Sequence, residues 1–147
     1  MTIPNLNNNG ELLPGEHQAT LDEVETKYGL SSGRRKKLMS GLRDAAQNFE
    51  ESGVNTIWIN GSFITDKNEP NDIDGCWEYH SGVDLKKLDP VFISRTGRDE
   101  MKKKYGLDFF IANIIEMGSG LPFPNFFQKN RDGNLKGIIK VSLGGIL

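Results

Sequence analysis

Two aspartates separated by one residue, Asp72 and Asp74, carry the most informative chemistry in this sequence. They follow an apolar segment, the pair Gly61 and Ser62, and nine further residues. Residues i and i+2 of a strand point to the same face, so the two carboxylates are expected to lie side by side. Neighbouring carboxylates repel each other unless one is protonated or a cation lies between them. Mg²⁺ meets that need, because it binds one or two carboxylates together with phosphate oxygens and water.

The pair Gly61 and Ser62 adds a place for phosphate next to these carboxylates. Glycine lets the backbone come close to a ligand, and the Ser62 hydroxyl with its neighbouring N–H groups can hold phosphate oxygens. Lys67 lies between the two motifs and is a further candidate for a phosphate contact, although an exposed lysine without such a role is more common. An isolated Asp-x-Asp is frequent in turns, so the prediction depends on the combination.

The elements that must position these residues begin with two helices. Thr20 and Glu23 form a capping box, which predicts a helix to about Tyr28 that ends at Gly29. A longer helix is predicted from about residue 32 to 52. Its apolar side chains recur at spacings of four, three and four, which places them on one face: Leu38, Leu42, Ala45 and Phe49.

Strands and loops account for the rest of the chain. Strands are predicted at residues 54–60, 72–80 and 107–115, with a final strand within 135–147. Short helices are predicted around Pro90, at residues 84–88 and 98–105. Residues 118–130 are predicted to be a loop, followed by a turn at Asp132 and Gly133.

This order of elements predicts an α+β fold with one small mixed sheet and helices packed on it. Residues 1–18 are rich in Asn, Pro and Gly and are expected to form an irregular arm. Residues 19–147 are expected to form one domain, which agrees with a chain of 147 residues.

The spacing of the two motifs resembles the signature of the DNA polymerase beta-like nucleotidyltransferase superfamily. That signature is an apolar residue, Gly, Gly or Ser, a short gap, and Asp, an apolar residue, and Asp or Glu. Within the superfamily the chain is similar to small bacterial and phage nucleotidyltransferase-like proteins of largely unassigned function. The matching segments are Leu-Pro-Gly-Glu-His at residues 13–17, Gly-Ser-Phe-Ile-Thr at 61–65, Pro-Asn-Asp-Ile-Asp at 70–74 and Lys-Gly-Ile-Ile at 136–139.

The chain departs from the superfamily pattern at three points. Asn60 occupies the position before Gly61 that is usually apolar. Gly75 follows Asp74 where an apolar strand residue is usual. The gap between the motifs is also at the short end of the range found in the superfamily.

The resemblance implies a minimal nucleotidyltransferase fold and a role for each motif residue. Asp72 and Asp74 would bind two Mg²⁺ ions, and Ser62 with Gly61 would hold the β- and γ-phosphates of a nucleoside triphosphate. A third carboxylate usually comes from a later strand. Asp108 is the candidate, since an unpaired carboxylate beside the apolar residues 107–115 would be costly. Asp108, near the acceptor, could also act as general base.

The activity implied is transfer of a nucleoside monophosphate to a hydroxyl of a protein, an RNA or a small molecule. Related minimal enzymes act in toxin–antitoxin or phage-defence pairs, so a protein acceptor is one expectation. A protein partner or a second copy of the chain would then complete the acceptor side of the cleft. The alternative is a catalytically inactive interaction or regulatory protein that keeps the fold, for which the short gap and Gly75 leave room.

Two surface features leave alternatives open. The basic residues 34–37 are typical of a solvated helix face, which is the favoured interpretation, and are also consistent with a patch for phosphate. Together with residues 102–104 they would suit a nucleic-acid partner. The aromatic residues Phe123, Phe126 and Phe127 are consistent either with a lid on the core or with a partner-binding surface.

Composition excludes few function classes. The net charge of −2 comes from 18 basic and 20 acidic residues, so it favours no class of charged partner. No apolar run approaches the roughly 18 residues of a membrane span, and residues 1–17 lack the pattern of a secretory signal. The single cysteine, Cys76, cannot form an internal disulfide, which favours a cytoplasmic location.

Overall fold

The fold is built on a five-stranded mixed sheet. The computed structural model describes residues 3–94 and 96–143. Within the described residues the strands are β1 (Gly15–Ala19), β2 (Thr56–Asn60), β3 (Ile73–Trp77), β4 (Leu107–Ile111), β5 (Ile115–Glu116), β6 (Leu121–Pro122) and β7 (Gly137–Ser142). The order in the five-stranded sheet is β1-β7-β2-β3-β4, in which β1 and β7 are parallel, β7–β2 and β2–β3 are antiparallel, and β3–β4 is parallel. Strands β5 and β6 form a separate two-stranded hairpin.

The helices begin where the sequence provides caps. Thr20 and Glu23 form the predicted capping box, with the Thr20 hydroxyl accepting from the Glu23 N–H at 3.1 Å. Ser32 caps the second helix by accepting from the Arg35 N–H at 3.1 Å. The helices are α1 (Leu21–Tyr28), α2 (Gly33–Ser52), α3 (Arg98–Tyr105) and α4 (Phe123–Phe127), with 3-10 turns at Ser62–Ile64 and Pro90–Phe92.

The main apolar core lies between the sheet and α1, α2 and α3. Phe49 of α2 is at its centre, fully buried, with its ring centroid 4.4 Å from that of Phe92. The strands contribute alternate residues to this core: Ile57, Ile59, Ile73, Trp77, Leu107, Phe109, Ile139 and Val141. We call this side of the sheet the helical face.

The opposite side of the sheet carries a smaller apolar cluster, and we call it the open face. Its buried members are Trp58, Cys76, Ala112, Phe127 and Ile138. The aromatic residues of α4 pack on them, with the Phe123 ring stacked on Phe110 at 4.6 Å between centroids. The aromatic residues therefore form a lid on this face, as one of the two interpretations predicted.

The α+β fold with a small mixed sheet is confirmed, and the predicted helices at residues 20–28, 32–52 and 98–105 are all present. The strands predicted at residues 54–60, 72–80 and 107–115 are present but shorter, and β7 lies within the predicted segment 135–147, of which residues 144–147 lie outside the described part of the chain. Among the described residues no helix combines the length and the apolar character that crossing a membrane would require.

Three local predictions are wrong. Residues 15–18 are not irregular, because β1 pairs with β7 over Gly15–Ala19. Residues 84–88 do not form a helix, because the helical pattern stops after one bond from the Leu88 N–H to the Asp84 carbonyl, and the next N–H, that of Asp89, donates to Oδ1 of Asn48 instead. Residues 118–130 contain β6 and α4, and Pro124 in the first turn of α4 suits a helix start.

The predicted end of α1 at Gly29 is confirmed, although Gly29 does not adopt the left-handed backbone that is common at helix ends. Gly29 has φ −97°, whereas Gly53 at the end of α2 has φ +94°. A side chain at Gly29 is excluded by packing instead, because a Cβ would lie 2.9 Å from Cγ of Met39.

Candidate functional site

The site lies on the open face, where β2, β3 and β4 place three polar residues in neighbouring positions. Asn60 of β2 is paired with Asp74 of β3, and Asp74 is paired with Asp108 of the parallel strand β4. Paired residues of adjacent strands point to the same face, so these side chains form a row across the sheet. Asp72 lies just before β3 and adds a second carboxylate at the end of the row.

The three predicted carboxylates come together. Asp72, Asp74 and Asp108 each offer one oxygen, and these oxygens all lie within 4.8 Å of one another. Asp108 is buried, at 7% exposure, and the other two are partly buried. Carboxylate oxygens from a small, partly buried set are the donors that Mg²⁺ and Mn²⁺ prefer, so the residues fit a divalent cation.

Electrostatic repulsion within this carboxylate cluster also favours a cation. The pKa of Asp74 is raised from 3.8 to about 7, first by burial and then by the charges of Asp72 and Asp108. Lys102 opposes this shift. A carboxylate that resists ionisation next to two others gains most from a bound metal ion or proton.

Two cations of α3 partly neutralise the cluster, and sequence reasoning gave neither of them this role. Nε and Nη2 of Arg98 donate to Oδ1 and Oδ2 of Asp108 at 3.0 and 2.7 Å. Nζ of Lys102 lies 3.8 Å from Oδ2 of Asp72 and 4.0 Å from Oδ2 of Asp108. Arg98 and Lys102 are four residues apart on one predicted helix that leads into Asp108. That spacing was the signal that could have identified them.

Gly61 brings its loop against the carboxylates. Its φ is +83°, and a Cβ at this position would lie 2.3 Å from Oδ2 of Asp74. Glycine is therefore required both for the backbone conformation and for the close approach. Ser62 follows at the start of a 3-10 turn, in which the Ile64 N–H donates to the Gly61 carbonyl at 3.2 Å.

Arg35 of α2 holds this loop in place. Its guanidinium donates to the Phe63 and Thr65 carbonyls at 2.7 and 2.9 Å, to that of Lys67 at 3.2 Å, and to that of Tyr28 at 3.0 Å. Arg35 is 3% exposed, so the prediction of a solvated face is wrong for this residue. The other three residues of the basic run, Arg34, Lys36 and Lys37, are exposed.

A cavity of about 580 Å³ adjoins the Gly61 loop and Asp74. Ser62 lines it, as does the predicted residue Lys67, which is exposed. The cavity is also lined by three cations that were not predicted as site residues: Lys129, Arg131 and Lys136. The cavity therefore combines one carboxylate of the cluster with several positive charges.

Gly75, one of the departures from the superfamily pattern, has a packing explanation. A Cβ at Gly75 would lie 2.2 Å from the Trp58 carbonyl oxygen and 2.6 Å from the Phe109 ring. Phe109 thus fills the space that an apolar side chain at position 75 would take. The departure does not displace Asp74, which remains paired with Asp108.

The two basic runs considered for nucleic acid lie near each other. A second cavity, of about 460 Å³, is lined by residues from α2, α3 and the segment before β3, among them Arg34, Lys37, Lys102, Lys103 and Lys104. Lys104 is paired with Asp89 at 2.6 Å, and Lys102 faces the carboxylate cluster. Nucleic-acid binding stays a prediction.

Comparison with known proteins places the chain in a family. Residues 4–142 match a family described as "Family of unknown function (DUF6932)", and the chain belongs to that family. No curated protein and no solved structure matches the chain.

Proposed function

We propose that this member of the family is a divalent-metal-dependent nucleotidyltransferase with a minimal nucleotidyltransferase fold. It would move a nucleoside monophosphate from a nucleoside triphosphate to a hydroxyl acceptor. The observation that carries the proposal is the convergence of Asp72, Asp74 and Asp108 beside the loop of Gly61 and Ser62. The resemblance of the two motifs to the superfamily signature assigns the same residues to the same roles.

The three carboxylates would hold Mg²⁺, which when bound polarises phosphate oxygens and lowers the pKa of an attacking hydroxyl. In the transfer, the acceptor oxygen would bond to the α-phosphorus, the bond from that phosphorus to the leaving pyrophosphate would break, and the acceptor's proton would pass to Asp108 as general base. Ser62 and the neighbouring N–H groups would orient the phosphate chain. The absence of a side chain at Gly61 lets the Asp74 carboxylate lie against the loop that would hold this phosphate chain.

Arg98 restricts the role of Asp108. Because the guanidinium donates to both Asp108 oxygens and takes up part of their lone-pair capacity, it competes with a metal ion or a proton for Asp108. This pair favours a second candidate function, a non-catalytic interaction or regulatory protein in which the Arg98 pair is permanent. The two candidates differ in whether the carboxylates bind metal at all.

Transfer of a labelled nucleotide distinguishes the enzyme from the non-catalytic protein. The purified chain is incubated with Mg²⁺ and α-labelled ATP, GTP, CTP and UTP, with and without a host lysate, and products are separated for a labelled protein, RNA or small molecule. We expect label transfer with at least one nucleotide. We expect none with Asp72→Asn/Asp74→Asn, and undiminished transfer with the control Asp44→Asn, an exposed carboxylate on α2. Transfer by the double variant at the wild-type rate would refute the proposal.

A further inference from the structure

Lys136 occupies a position that brings a positive charge to the open face next to the cluster. It lies between the turn at Gly133 and strand β7, with its backbone N–H donating to the Gln128 carbonyl at 2.9 Å. Its side chain crosses to the end of β2, where Nζ donates to Oδ1 of Asn60. Asn60 is the residue directly before Gly61, so Lys136 is held close to the loop of Gly61 and Ser62.

The charge of Lys136 is poorly compensated. An ammonium has three N–H donors, and among residues 3–94 and 96–143 Oδ1 of Asn60 is its one hydrogen-bond acceptor. An amide oxygen orients the ammonium without cancelling its charge. Burial lowers the pKa of Lys136 to about 8, against the opposing influence of Glu11 and Asp74. A cation that has lost water without gaining an anionic partner is stabilised by a bound anion.

The surrounding cavity has the size and the charge distribution for an extended anion. Lys136 lies on its wall with Ser62, and Lys129 and Arg131 are exposed at the turn that precedes Lys136. Its acidic lining residues are Glu11, Asp74 and Asp132. The Glu11 carboxylate lies within 3.4 Å of the Asn130 amide nitrogen, and Asp74 belongs to the carboxylate cluster.

We propose that Lys136, oriented by Asn60, binds the terminal phosphates of a polyphosphate chain that lies in this cavity. The inference deepens the proposed function and rests on it, since the polyphosphate would be the triphosphate of the nucleotide donor. It also gives a reason for Asn60, which replaces the usual apolar residue of the superfamily pattern: an apolar side chain there could not hold the ammonium.

The test uses inorganic tripolyphosphate as the probe and isothermal titration calorimetry on the full chain without divalent metal. We expect wild type to bind it and Lys136→Met to bind it about tenfold or more weakly, the loss typical of a charge-assisted contact. The matched control Lys86→Met, at an exposed lysine of a turn, should bind like wild type. Tripolyphosphate should raise the melting temperature of wild type and Lys86→Met more than that of Lys136→Met. The melting temperature also shows whether each variant is folded.

The outcomes separate this inference from the proposed function. Equal affinity of wild type and Lys136→Met, or no binding by wild type, overturns the inference, and label transfer by wild type then still supports the enzyme. Lys136-dependent binding without label transfer under any condition supports the inference and refutes the enzyme. Asp74→Asn should retain tripolyphosphate binding, because it removes a negative charge from the cavity, while it abolishes transfer.

Discussion

The two faces of the sheet are built by the same strands and carry different kinds of side chain. In β3 and β4, Ile73, Leu107 and Phe109 point to the helical face and are buried among apolar side chains. Their neighbours Asp74 and Asp108 point to the open face, where Asp74 lines a cavity with several charged residues. The period of two in a strand thus places apolar core residues on one face and the carboxylate cluster on the other. Substitutions on the two faces should therefore affect different measurements.

The largest effect on stability is expected at the centre of the helical face. Phe49→Ala removes a fully buried ring that contacts Trp77, Phe92 and Phe109, which should cost about 3–5 kcal/mol of unfolding free energy. Phe123→Ala, in the partly buried lid of the open face, should cost about 1–2 kcal/mol. Urea denaturation compares the two, and equal losses would contradict the division between the faces.

The next effect concerns Arg35, the residue of α2 whose guanidinium donates to the carbonyls of the loop after Gly61. Arg35→Ala leaves buried carbonyls of Tyr28 and Phe63 without their donor, which should lower the free energy of unfolding by about 2–4 kcal/mol. Tripolyphosphate affinity should fall as well, because the loop is no longer held. The neighbouring control Arg34→Ala, at an exposed side chain, should stay within about 0.5 kcal/mol of wild type. Similar losses in both variants would refute this role for Arg35.

A smaller effect, dependent on pH, is expected at Asp74. The folded pKa of about 7 lies above the unfolded value of 3.8, so the folded state keeps a proton that the unfolded state releases. The stability that this proton provides is complete below pH 3.8 and is lost as the pH rises toward 7. In EDTA, the unfolding free energy of wild type should fall by at least about 1 kcal/mol relative to that of Asp74→Asn between pH 4 and 7. The reason is that a tenfold change in a proton-binding constant corresponds to about 1.4 kcal/mol.

Urea denaturation at several pH values measures this difference, with Asp44→Asn as the control that should follow wild type. Addition of Mg²⁺ at pH 7 should restore stability to wild type and not to Asp74→Asn. Parallel pH profiles for wild type and Asp74→Asn would contradict the electrostatic account of the carboxylate cluster.

The smallest effect is expected from Arg98→Ala. The substitution frees both oxygens of Asp108 and raises the net negative charge of the cluster, so Mn²⁺ should bind about threefold to tenfold more tightly. Arg43→Ala removes a comparable pair, between α2 and the residues Asp22 and Glu25 of α1, and should leave Mn²⁺ affinity unchanged. Weaker Mn²⁺ binding by Arg98→Ala would show that Arg98 positions Asp108 instead of competing with metal.

Local signals predicted most of the scaffold. The capping box at Thr20 and the apolar spacing of α2 each depend on neighbouring residues only, so they could be read from the sequence. Strand β1 could not, because its residues alternate between partly buried and exposed with little apolar character, and only pairing with β7 defines it.

The same limit applies to the site. The spacing of Gly61, Asp72 and Asp74 made the carboxylate motif visible, and Asp108 was found through the resemblance. The pair of Lys136 and Asn60 joins residues 76 positions apart, and Arg35 reaches a loop some 30 positions away. Such contacts depend on tertiary packing, which a single sequence does not report.

Metal binding to the chain tests the central claim most directly. Mn²⁺ is titrated into the metal-free full chain and free Mn²⁺ is followed by electron paramagnetic resonance, for wild type, Asp72→Asn/Asp74→Asn and Asp44→Asn. We expect wild type and Asp44→Asn to bind Mn²⁺ that Mg²⁺ displaces, and the double variant to show no detectable binding. Absence of Mn²⁺ binding by wild type, or equal binding by the double variant, would contradict the account.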